Sequence, residues 1–373
     1  MEAMKELYDV VNNPHAYARK LRETSGKKIV GYMCSYAPEE LIHAAGAQPL
    51  RLFASNKNIL LADGHLQIYC CSLVRGVLED ALSGDLKFLD GMIFPHTCDS
   101  IQRLSDIWRL NVSSCFHLDV VLPVKLDTES AQTYMIGTLS RFRSDLKKAL
   151  QVKITDTDIK KSIVLYNEIR SGLRRVYELK NGNPDIINGR DIYTLIRAAM
   201  IMDRQDYLKI LRKVVAELEQ TAGKPAKGNK RRLVLSGGIC THPDIYSVIE
   251  EAGGVVVGDD LCTGSRYFEG VISTEGDPIA AISERYRQRV NCPAKHISNQ
   301  SRAEHLLQIV SGSKACGVIF LLLKFCDPHA FDYPYLQAAL DKAGIPNLLL
   351  EVEDQPQAAG QLQTRLEAFL ETL

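Results

Sequence analysis

Cysteine is the residue type in this sequence with the most scope for chemistry. The chain has 373 residues, and ten of them are cysteines. They stand at Cys34, Cys70, Cys71, Cys98, Cys115, Cys240, Cys262, Cys292, Cys316 and Cys326. The opening segment, MEAMKELYDVVNN, is charged and has no apolar signal core, so we expect a cytoplasmic protein whose thiols stay reduced. Metal ligation, redox chemistry and simple burial then compete as explanations for each thiol, because free cysteine is among the most buried residue types.

The spacing of the cysteines does not identify a metal. The sequence contains no CxxC pair, which most zinc ribbons and ferredoxin-type clusters use. Histidines do stand near cysteines in the segments PHTC, CTHP and CDPH, and these are His96, His242 and His329. Spacing alone therefore leaves an iron–sulfur cluster, a zinc site and no metal equally open.

Strand and helix patterns alternate in the first and last parts of the chain, which indicates an α/β protein with parallel sheets. Apolar runs predict strands at 27–33, 47–53, 89–96 and 116–123, and again at 232–238, 254–260, 317–324 and 345–352. Residues 129–222 show helical periodicity only. We therefore expect two doubly wound sheets, in an N-terminal domain 1–128 and a C-terminal domain 233–373, separated by this helical segment and a Gly/Lys-rich linker at 223–232.

Half of the cysteines follow directly after predicted strands. In open parallel sheets, ligands collect beyond the carboxyl ends of the strands, and the helix after each turn favours a thiolate at its amino end. The five cysteines in such turns are Cys34, Cys98, Cys240, Cys262 and Cys326. Cys115 and Cys316 instead precede strands, at the opposite edge, and Cys292 lies in a connection, so we predict that these three only pack.

Cys70 and Cys71 fall within a predicted helix at 66–83. Cys70 belongs to the apolar stripe of that helix and by itself would be an ordinary core thiol. Cys71 projects about 100° further round the helix, on the side of Gln67 and Arg75. Two diverging thiols would not easily bind one metal site together, but each could serve one of two neighbouring clusters.

Four long segments resemble one known family. They are GYMCSYAPEELIHAAGAQPLRLF (31–53), HLQIYCCSLVRGVLEDALSG (65–84), LDGMIFPHTCDSIQRLSDIW (89–108) and LKFCDPHAFDYPYL (323–336). Each resembles the iron–sulfur subunits of 2-hydroxyacyl-CoA dehydratases and benzoyl-CoA reductases. The resemblance implies two Rossmann-like domains with a cubane iron–sulfur cluster in the cleft between them. It also implies three cysteine ligands, which correspond here to one of the Cys70/Cys71 pair, Cys98 and Cys326.

Two further segments narrow the resemblance. SGGIC (236–240) and GDDLCTGSRYFEG (258–270), together with the YCC pair, resemble the single-component branch of the family, the double-cubane cluster proteins. This implies two 4Fe–4S cubanes that share a bridging sulfide and are held by six cysteines. On this basis the ligands are Cys70, Cys71, Cys98, Cys240, Cys262 and Cys326. Cys34 is a weaker candidate, because its GYxCxxxPEEL pattern also occurs in single-cluster relatives.

The resemblance implies an enzyme component, an iron–sulfur oxidoreductase of anaerobic metabolism that reduces a small unsaturated or otherwise inert molecule at low potential. Its electrons would come from a separate ATP-hydrolysing activator protein with its own 4Fe–4S cluster, and the chain would form a homodimer. The segment GKPAKGNK (223–230) lacks the GK[ST] ending of a phosphate loop and follows a helix, so ATP must be bound by the partner.

Two other functions stay open on the sequence. One is a single-cluster subunit of a 2-hydroxyacyl-CoA dehydratase or benzoyl-CoA reductase, which needs an unlike partner subunit. The other is a zinc-stabilised or metal-free binding module. Nucleic acid and membranes are not expected as partners, because 45 basic residues balance 45 acidic ones and no apolar run reaches the roughly 18 residues that span a bilayer.

Several polar residues follow strand ends beside the thiols, and these are Asp99, Asp259, Asp260, Ser265 and Arg266. Arg266 could donate hydrogen bonds to cluster sulfides or hold an anionic substrate, or it could be a surface or capping residue. We expect Asp260 to cap a helix. His96 could relay protons or bond to a backbone carbonyl. The aromatic residues of FDYPYL (331–336) are expected to pack the domain.

Overall fold

The computed structural model describes residues 3–55, 57–223, 230–240, 244–289, 292–295, 297–352 and 359–373. Fifteen α-helices and eight β-strands lie within these ranges. The helices are α1 (Ala3–Asn12), α2 (Pro14–Ser25), α3 (Glu39–Ala44), α4 (Ser72–Leu82), α5 (Asp99–Asn111), α6 (Glu129–Leu150), α7 (Asp156–Gly182), α8 (Gly189–Ile201), α9 (Arg204–Thr221), α10 (Asp244–Glu251), α11 (Ser265–Phe268), α12 (Pro278–Gln288), α13 (Asn299–Ser313), α14 (Asp327–Lys342) and α15 (Ala359–Glu371). The strands are β1 (Ile29–Tyr32), β2 (Gln48–Arg51), β3 (Gly91–Pro95), β4 (Phe116–Val120), β5 (Arg231–Gly237), β6 (Gly254–Asp260), β7 (Gly317–Leu323) and β8 (Asn347–Val352). Most of the linker predicted at 223–232, and also His242, lie outside the described residues.

The strands form two four-stranded sheets in which all neighbouring strands are parallel. The strand order is β2-β1-β3-β4 in the first sheet and β6-β5-β7-β8 in the second. Parallel sheets are covered by helices on both faces, and accordingly every residue of β7, GVIFLLL, is buried. The predicted α/β fold with two doubly wound sheets is confirmed.

Each sheet has one point where the winding of the chain reverses. From β1 the chain adds β2 on one side and then returns to add β3 on the other, and β5, β6 and β7 repeat this arrangement. The crevice beyond the carboxyl ends of the strands at such a point is where open α/β sheets bind ligands. Cys34 and Cys98 follow the two strands of the first crevice, and Cys240 and Cys326 follow those of the second.

Four helices, α6 to α9, connect the two sheets, and the structure describes no strand within 129–222. Polar side chains determine where these helices begin. Thr155, for example, accepts the N–H of Asp158, while the Asp158 carboxylate accepts the N–H of Thr155. Helix α6 shares a core with the first sheet, whereas α7, α8 and α9 surround a second core that also contains Trp108. None of the described helices is long and apolar enough to cross a membrane.

Helix α12 brings the second half of the chain back to the first sheet. Its Ile282 and Tyr286 side chains are buried in one core with Val30 of β1. A hydrogen bond ties the same regions together, because the Tyr36 hydroxyl donates to the carbonyl of Arg289 (3.1 Å). Since this packing joins the two halves, the domain boundaries given above stay a prediction.

The helix predicted at 66–83 begins only at Ser72. The carboxylate of Glu79, on this helix, accepts two backbone N–H groups of the preceding loop (both 2.9 Å) and so holds the loop against α4. The placement of Cys70 and Cys71 on two faces of one helix is therefore wrong. Both precede the helix, and Cys71 is its N-cap residue.

Candidate metal centre

Three of the cysteines occupy the position that opens a helix. Cys71 is the N-cap residue of α4, Cys98 of α5 and Cys326 of α14. The amino end of a helix carries partial positive charge, so each sulfur lies where a thiolate or another anion is stabilised. Serine, threonine, aspartate and asparagine are the preferred N-cap residues. Three cysteines in this position therefore indicate a function for the sulfur.

These three thiols lie close enough together for their charges to interact. Burial raises the pKa of Cys98 to about 12, with a contribution from the nearby Cys71. Burial also raises the pKa of Cys326 well above its usual range, and both Cys71 and Cys98 contribute. The backbone N–H groups of Ile101 and His329, in the first turns of α5 and α14, act in the opposite direction. Cys98 and Cys326 are thus protonated at neutral pH in the absence of metal, and each would release a proton on binding one.

Further cysteines surround this group. Cys262 contributes to the raised pKa of Cys326. Burial raises the pKa of Cys292 to about 11, and Cys262 and Cys34 contribute. Four of the six predicted ligands therefore lie together, namely Cys71, Cys98, Cys262 and Cys326. Cys34, the weaker candidate, joins them, and so does Cys292, which was predicted only to pack.

The other two predicted ligands, Cys70 and Cys240, lie in apolar surroundings. Cys70 belongs, like Cys71, to the core around α4 and α7 to α9, and Cys240 packs with Tyr246 in the core of the second sheet. The turn of Cys240 is nevertheless tied to that of Cys262, whose N–H donates to the carbonyl of Gly238 (2.8 Å). The side chains of both are packed as core residues, although the backbone of each lies next to the group.

The described residues contain no set of three or more histidine, cysteine, aspartate and glutamate side chains arranged around a single ion. A tetrahedral zinc site needs such an arrangement. A cluster instead distributes its cysteine ligands over several metal ions, so its thiolates surround a space and do not meet at one point. Cys71, Cys98 and Cys326 are therefore not arranged as such a single-ion site.

A buried histidine and a buried arginine connect two of these sulfurs. His329 Nδ1 lies 3.2 Å from Cys326 Sγ, and His329 Nε2 lies 3.1 Å from Arg266 Nη1. A guanidinium group can only donate, so Nε2 accepts and the ring proton is on Nδ1, the atom that faces the sulfur. The same Arg266 Nη1 atom lies 3.7 Å from Cys262 Sγ. The Nδ1 proton of His329 thus faces Cys326 and also reaches the backbone of Gly237, and Arg266 presents a donor to Cys262.

Arg266 is held in place by a buried carboxylate. The two oxygens of Asp260 accept from Arg266 at 2.5 and 2.6 Å, and Arg302 reaches the same carboxylate at 3.2 Å. Burial alone would raise the pKa of Asp260, but the two guanidinium charges outweigh it and hold this pKa well below its usual value. Burial, together with the same two charges, lowers the pKa of His329 and keeps its ring neutral.

This network overturns two expectations for the polar residues. Asp260 does not cap a helix, because α11 begins after Gly264 and the carboxylate is occupied by the arginines. Arg266 is 2% exposed, so the surface alternative for it is wrong. Sequence alone could not distinguish these roles, since the second arginine, Arg302, comes from a distant helix.

The remaining polar candidates are held by other groups. Asp259 accepts the N–H of Ser265 (2.7 Å) and the hydroxyl of Tyr177. The Ser265 hydroxyl in turn donates to the Asp259 carbonyl (2.6 Å), so both residues stabilise the turn after β6. His96 Nε2 lies 2.8 Å from Asp119 Oδ1, so a carboxylate takes the place of its expected backbone partner.

A second buried cation lies near the thiols. Lys295 is 1% exposed, and its ammonium group donates to the carbonyl of Leu122 (2.8 Å). Burial lowers the pKa of Lys295, while Cys292 and Cys98, among others, act in the opposite direction. Buried charges require partners of opposite sign. Lys295 and Arg266 would both offset the negative charge of thiolates in this region.

An open cleft of about 510 Å³ leads to Cys98. Its walls include the first turns of α5 and α14, with Asp99 at the start of the first. Phe331 and Tyr335 are largely exposed at this cleft (77% and 58%), so the expectation that the FDYPYL aromatics pack the domain is wrong for these two. It is right for Tyr333, whose ring packs edge-on against Phe320. The cleft gives a small molecule access to the thiol group.

The residue before Cys326 has a strained backbone. Phe325 has a φ of 63°, in the left-handed region, which costs a bulky residue about 1–2 kcal/mol. Such strain is concentrated at functional sites, where the surrounding structure maintains it. Here it turns the chain sharply from β7 into α14, so that Cys326 donates its N–H to the carbonyl of Leu323 (3.0 Å).

Residues 34–373 match the family model described as 2-hydroxyglutaryl-CoA dehydratase, D-component. The chain belongs to this family. The matched range contains all ten cysteines, so the resemblance inferred from the motifs is confirmed.

Relatives match this dehydratase-family chain over nearly its whole length. The beta subunit of (R)-phenyllactyl-CoA dehydratase from Clostridium sporogenes is 30% identical, over 98% of this chain and 97% of its own. The beta subunit of lactoyl-CoA dehydratase from Anaerotignum propionicum is 27% identical, over 99% and 98%. A subunit of benzoyl-CoA reductase from Thauera aromatica is 29% identical, over 93% and 90%. Since these relatives are subunits of dehydratases and of a reductase, this chain is a component of an enzyme of that kind.

Among solved structures, a crystal structure of ZnuA covers 93% of this dehydratase-family chain at 11% identity, with a TM-score of 0.23. A likeness this low has no bearing on the fold or the function.

Sequence reasoning missed two residues that the structure of this family member places at the thiols. Cys292 and Lys295 come from the segment after α12, and only the packing of α12 on the first sheet brings them there. His329 had a local signal, because the spacing in CDPH places it one helical turn after Cys326. Its role as a donor required the position of Arg266.

Proposed function

We propose that this protein is a low-potential reductase component that passes electrons from an iron–sulfur cluster to a small molecule, after an ATP-hydrolysing activator protein has reduced the cluster. The observation that carries this proposal is the meeting of Cys71, Cys98 and Cys326 at the amino ends of three helices from both halves of the chain. Thiolates are the usual protein ligands of such clusters, which supply one-electron transfer at potentials from roughly −700 to +450 mV.

The chain's own residues would hold the cluster in two sets of three. We assign Cys71, Cys98 and Cys326 to one cubane, because all three pairs among them interact. Following the resemblance to double-cubane cluster proteins, we assign a second, sulfide-bridged cubane to Cys70, Cys240 and Cys262. Of these, Cys262 lies with the first set, Cys70 directly precedes Cys71 in the chain, and the turn that carries Cys240 accepts the N–H of Cys262.

A second candidate function is a single-cluster subunit of a heterodimeric dehydratase or reductase. Two observations favour it. Of the six predicted ligands, Cys71, Cys98 and Cys326 interact in all three pairs, which matches the three ligands of a single cubane. The relatives are named as subunits, two of them as beta subunits, and they align over nearly their full length.

The surface around the thiols supports the docking of an electron donor. Ile68 and Tyr69, just before the cysteine pair, are 67% and 63% exposed, and Phe325, just before Cys326, is 43% exposed. Exposed large apolar side chains that cluster at a functional group are typical of protein contact sites. We assign ATP hydrolysis to the activator because the chain has no phosphate loop of its own, and we propose that the chain itself forms a homodimer.

The cleft beside Cys98 supports a small substrate. Its volume of about 510 Å³ falls in the range of small-molecule sites. The exposed rings of Phe331 and Tyr335 at its walls offer apolar contact, and Asp99 and Asp327 stand at the helix ends beside it. We propose a small unsaturated or otherwise inert molecule as the substrate.

The cluster proposal is tested by purifying the protein without oxygen and measuring iron and acid-labile sulfide per chain. About eight irons with slightly more sulfide support two bridged cubanes, and about four irons support the single-cluster subunit. In the first case Cys262→Ser should lose about half of the iron, and in the second it should lose none. A colourless, air-stable protein with one bound zinc, or with no metal after anaerobic reconstitution, would contradict both.

Replacing His329 should change the reduction potential without removing iron. An N–H···S bond stabilises the more negative, reduced state, so His329→Leu should lower the potential by roughly 60 mV, the one-electron equivalent of about 1.4 kcal/mol. His329→Asn keeps an N–H near the position of Nδ1 and should show a smaller shift. A redox titration followed by electron paramagnetic resonance measures both.

The hydrogen bond from His329 to Cys326 can also be checked in the cluster-free protein. Nitrogen-15 spectra of the histidine side chains should show His329 as the tautomer with its proton on Nδ1, assigned by the loss of its signals in His329→Asn. A ring protonated on Nε2 would show that Cys326 receives no hydrogen bond from it, whatever the iron content.

A further inference from the structure

A second cavity, separate from the thiols, lies at the carboxyl end of the edge strand β2. It has a volume of about 460 Å³ and is walled by the junction of α1 and α2, by the residues after β2 and by one face of α8. None of its fifteen lining residues is a cysteine or carries a carboxylate. Three of them are arginines, namely Arg19, Arg190 and Arg197. The cavity therefore carries an excess of positive charge.

These arginines are not neutralised within the part of the chain that the structure describes. None of the three has an ion pair with a carboxylate there. Asp80 and Asp191 lie behind the wall, where they accept from the hydroxyl groups of Ser55 and Tyr8. Three guanidinium groups that form no ion pair with a carboxylate favour a multiply charged anion.

Arg197 is the most constrained of the three. Its guanidinium lies 4.0 Å from the centre of the Phe53 ring, and one of its nitrogens donates to the Tyr193 hydroxyl. Its Nε atom is buried and has no hydrogen-bond partner. Arg190 projects from the same face of α8, seven residues earlier, and packs over the ring of Tyr8. The aromatic contacts orient both guanidinium groups while leaving donors available.

The shape and the opposite wall of the cavity indicate the class of ligand. The first turn of α2, from Pro14 to Ala16, lines the cavity, and helix amino ends are suited to phosphate. The volume is far larger than one phosphate group needs and falls in the range of small-molecule sites. Phe53 and Tyr193 also border the cavity, but both are buried (4% and 2% exposed) and their rings contact the Arg197 guanidinium.

We propose that this cavity binds a small organic phosphate, with its phosphate group on Arg190, Arg197 and Arg19 and its organic part in the remaining volume of the cavity. The inference does not depend on the cluster, because no lining residue is a thiol. The cavity would be a second ligand site, beside the edge strand β2 of the first sheet.

Calorimetric titration of the full-length protein, purified without oxygen and at low salt, tests the proposal with three probes: ADP, coenzyme A and inorganic phosphate. We expect ADP or coenzyme A to bind more tightly than inorganic phosphate. Arg197→Gln and Arg190→Gln should each weaken that binding at least tenfold, and Arg197→Lys should lie in between. Arg103→Gln removes the same charge from an exposed site on α5 (side chain 67% exposed) and should leave binding unchanged.

Three outcomes would overturn the proposal: no binding of any probe, equal affinity for all three, or equal weakening by Arg103→Gln. Arg190 is exposed, so Arg190→Gln is expected to fold normally and keeps the test decisive if Arg197→Gln is unstable. Iron content is measured on the same samples, so a protein without a cluster that still binds ADP would refute the proposed function and leave this inference standing.

Discussion

Replacing Cys71, Cys98 or Cys326 by serine, one at a time, is expected to remove at least half of the bound iron from the anaerobically purified protein. Each sulfur sits at the amino end of a helix, and each interacts with the other two. A serine hydroxyl is a much weaker iron ligand than a thiolate, and loss of one ligand of three exposes the cubane to solvent. Iron and sulfide analysis, together with the visible absorption spectrum, measures the effect.

The matched controls are Cys115→Ser and Cys316→Ser. Each cysteine lies just before a strand, at the amino ends of the strands of its sheet, whereas the proposed ligands lie toward the carboxyl ends. Cys316 donates to the carbonyl of Arg232 (3.3 Å). These variants should keep their full iron content. If the controls lose as much iron as Cys98→Ser, the losses reflect general instability, and if Cys98→Ser keeps all of its iron, the assignment of that ligand is wrong.

Replacing Asp260 by asparagine is expected to lower the free energy of unfolding by about 3–5 kcal/mol. The carboxylate is fully buried and is the shared counter-charge of Arg266 and Arg302. Asparagine has nearly the same shape, so the change removes the charge and leaves the packing in place. Arg302 would keep its ion pair with Asp332 (2.7 Å), but Arg266 would lose the carboxylate that it now contacts through two hydrogen bonds. Urea unfolding of the cluster-free protein measures the loss.

Asp106→Asn is the control for this change. Asp106 is 53% exposed and pairs with Arg109 at 3.3 Å on the surface of α5, where an ion pair contributes about 0–1 kcal/mol. A similar small loss in both variants would show that the Asp260 network is not an essential support of the fold. Since Asp260 also positions Arg266 beside Cys262, Asp260→Asn should reduce iron retention as well.

The strand-end cysteines could be placed from the sequence because the argument is local. An apolar run bounded by turn residues predicts a strand, and parallel strands present their carboxyl ends at one edge. Cys98 and Cys326 therefore had to lie at such edges, and they do. Helical periodicity placed Cys70 and Cys71 wrongly, because the apolar pattern continues from the loop into the helix, whereas α4 begins only at Ser72.

Charge networks could not be read in the same way. Asp260 has the sequence context of a helix cap, yet its buried carboxylate pairs with Arg266 and Arg302. Cys292 and Lys295 reach the thiols only because α12 returns to the first sheet. None of these contacts leaves a periodic or spaced pattern in the chain.

By itself, the sequence determined the α/β class, the strand ends that carry cysteines and the family, because periodicity and motifs depend on neighbouring residues. Only the tertiary structure decided which thiols meet, which histidine nitrogen carries the proton and where the unpaired arginines collect. Those outcomes depend on distances between side chains far apart in the chain, and such distances are set by how the helices pack on the two sheets.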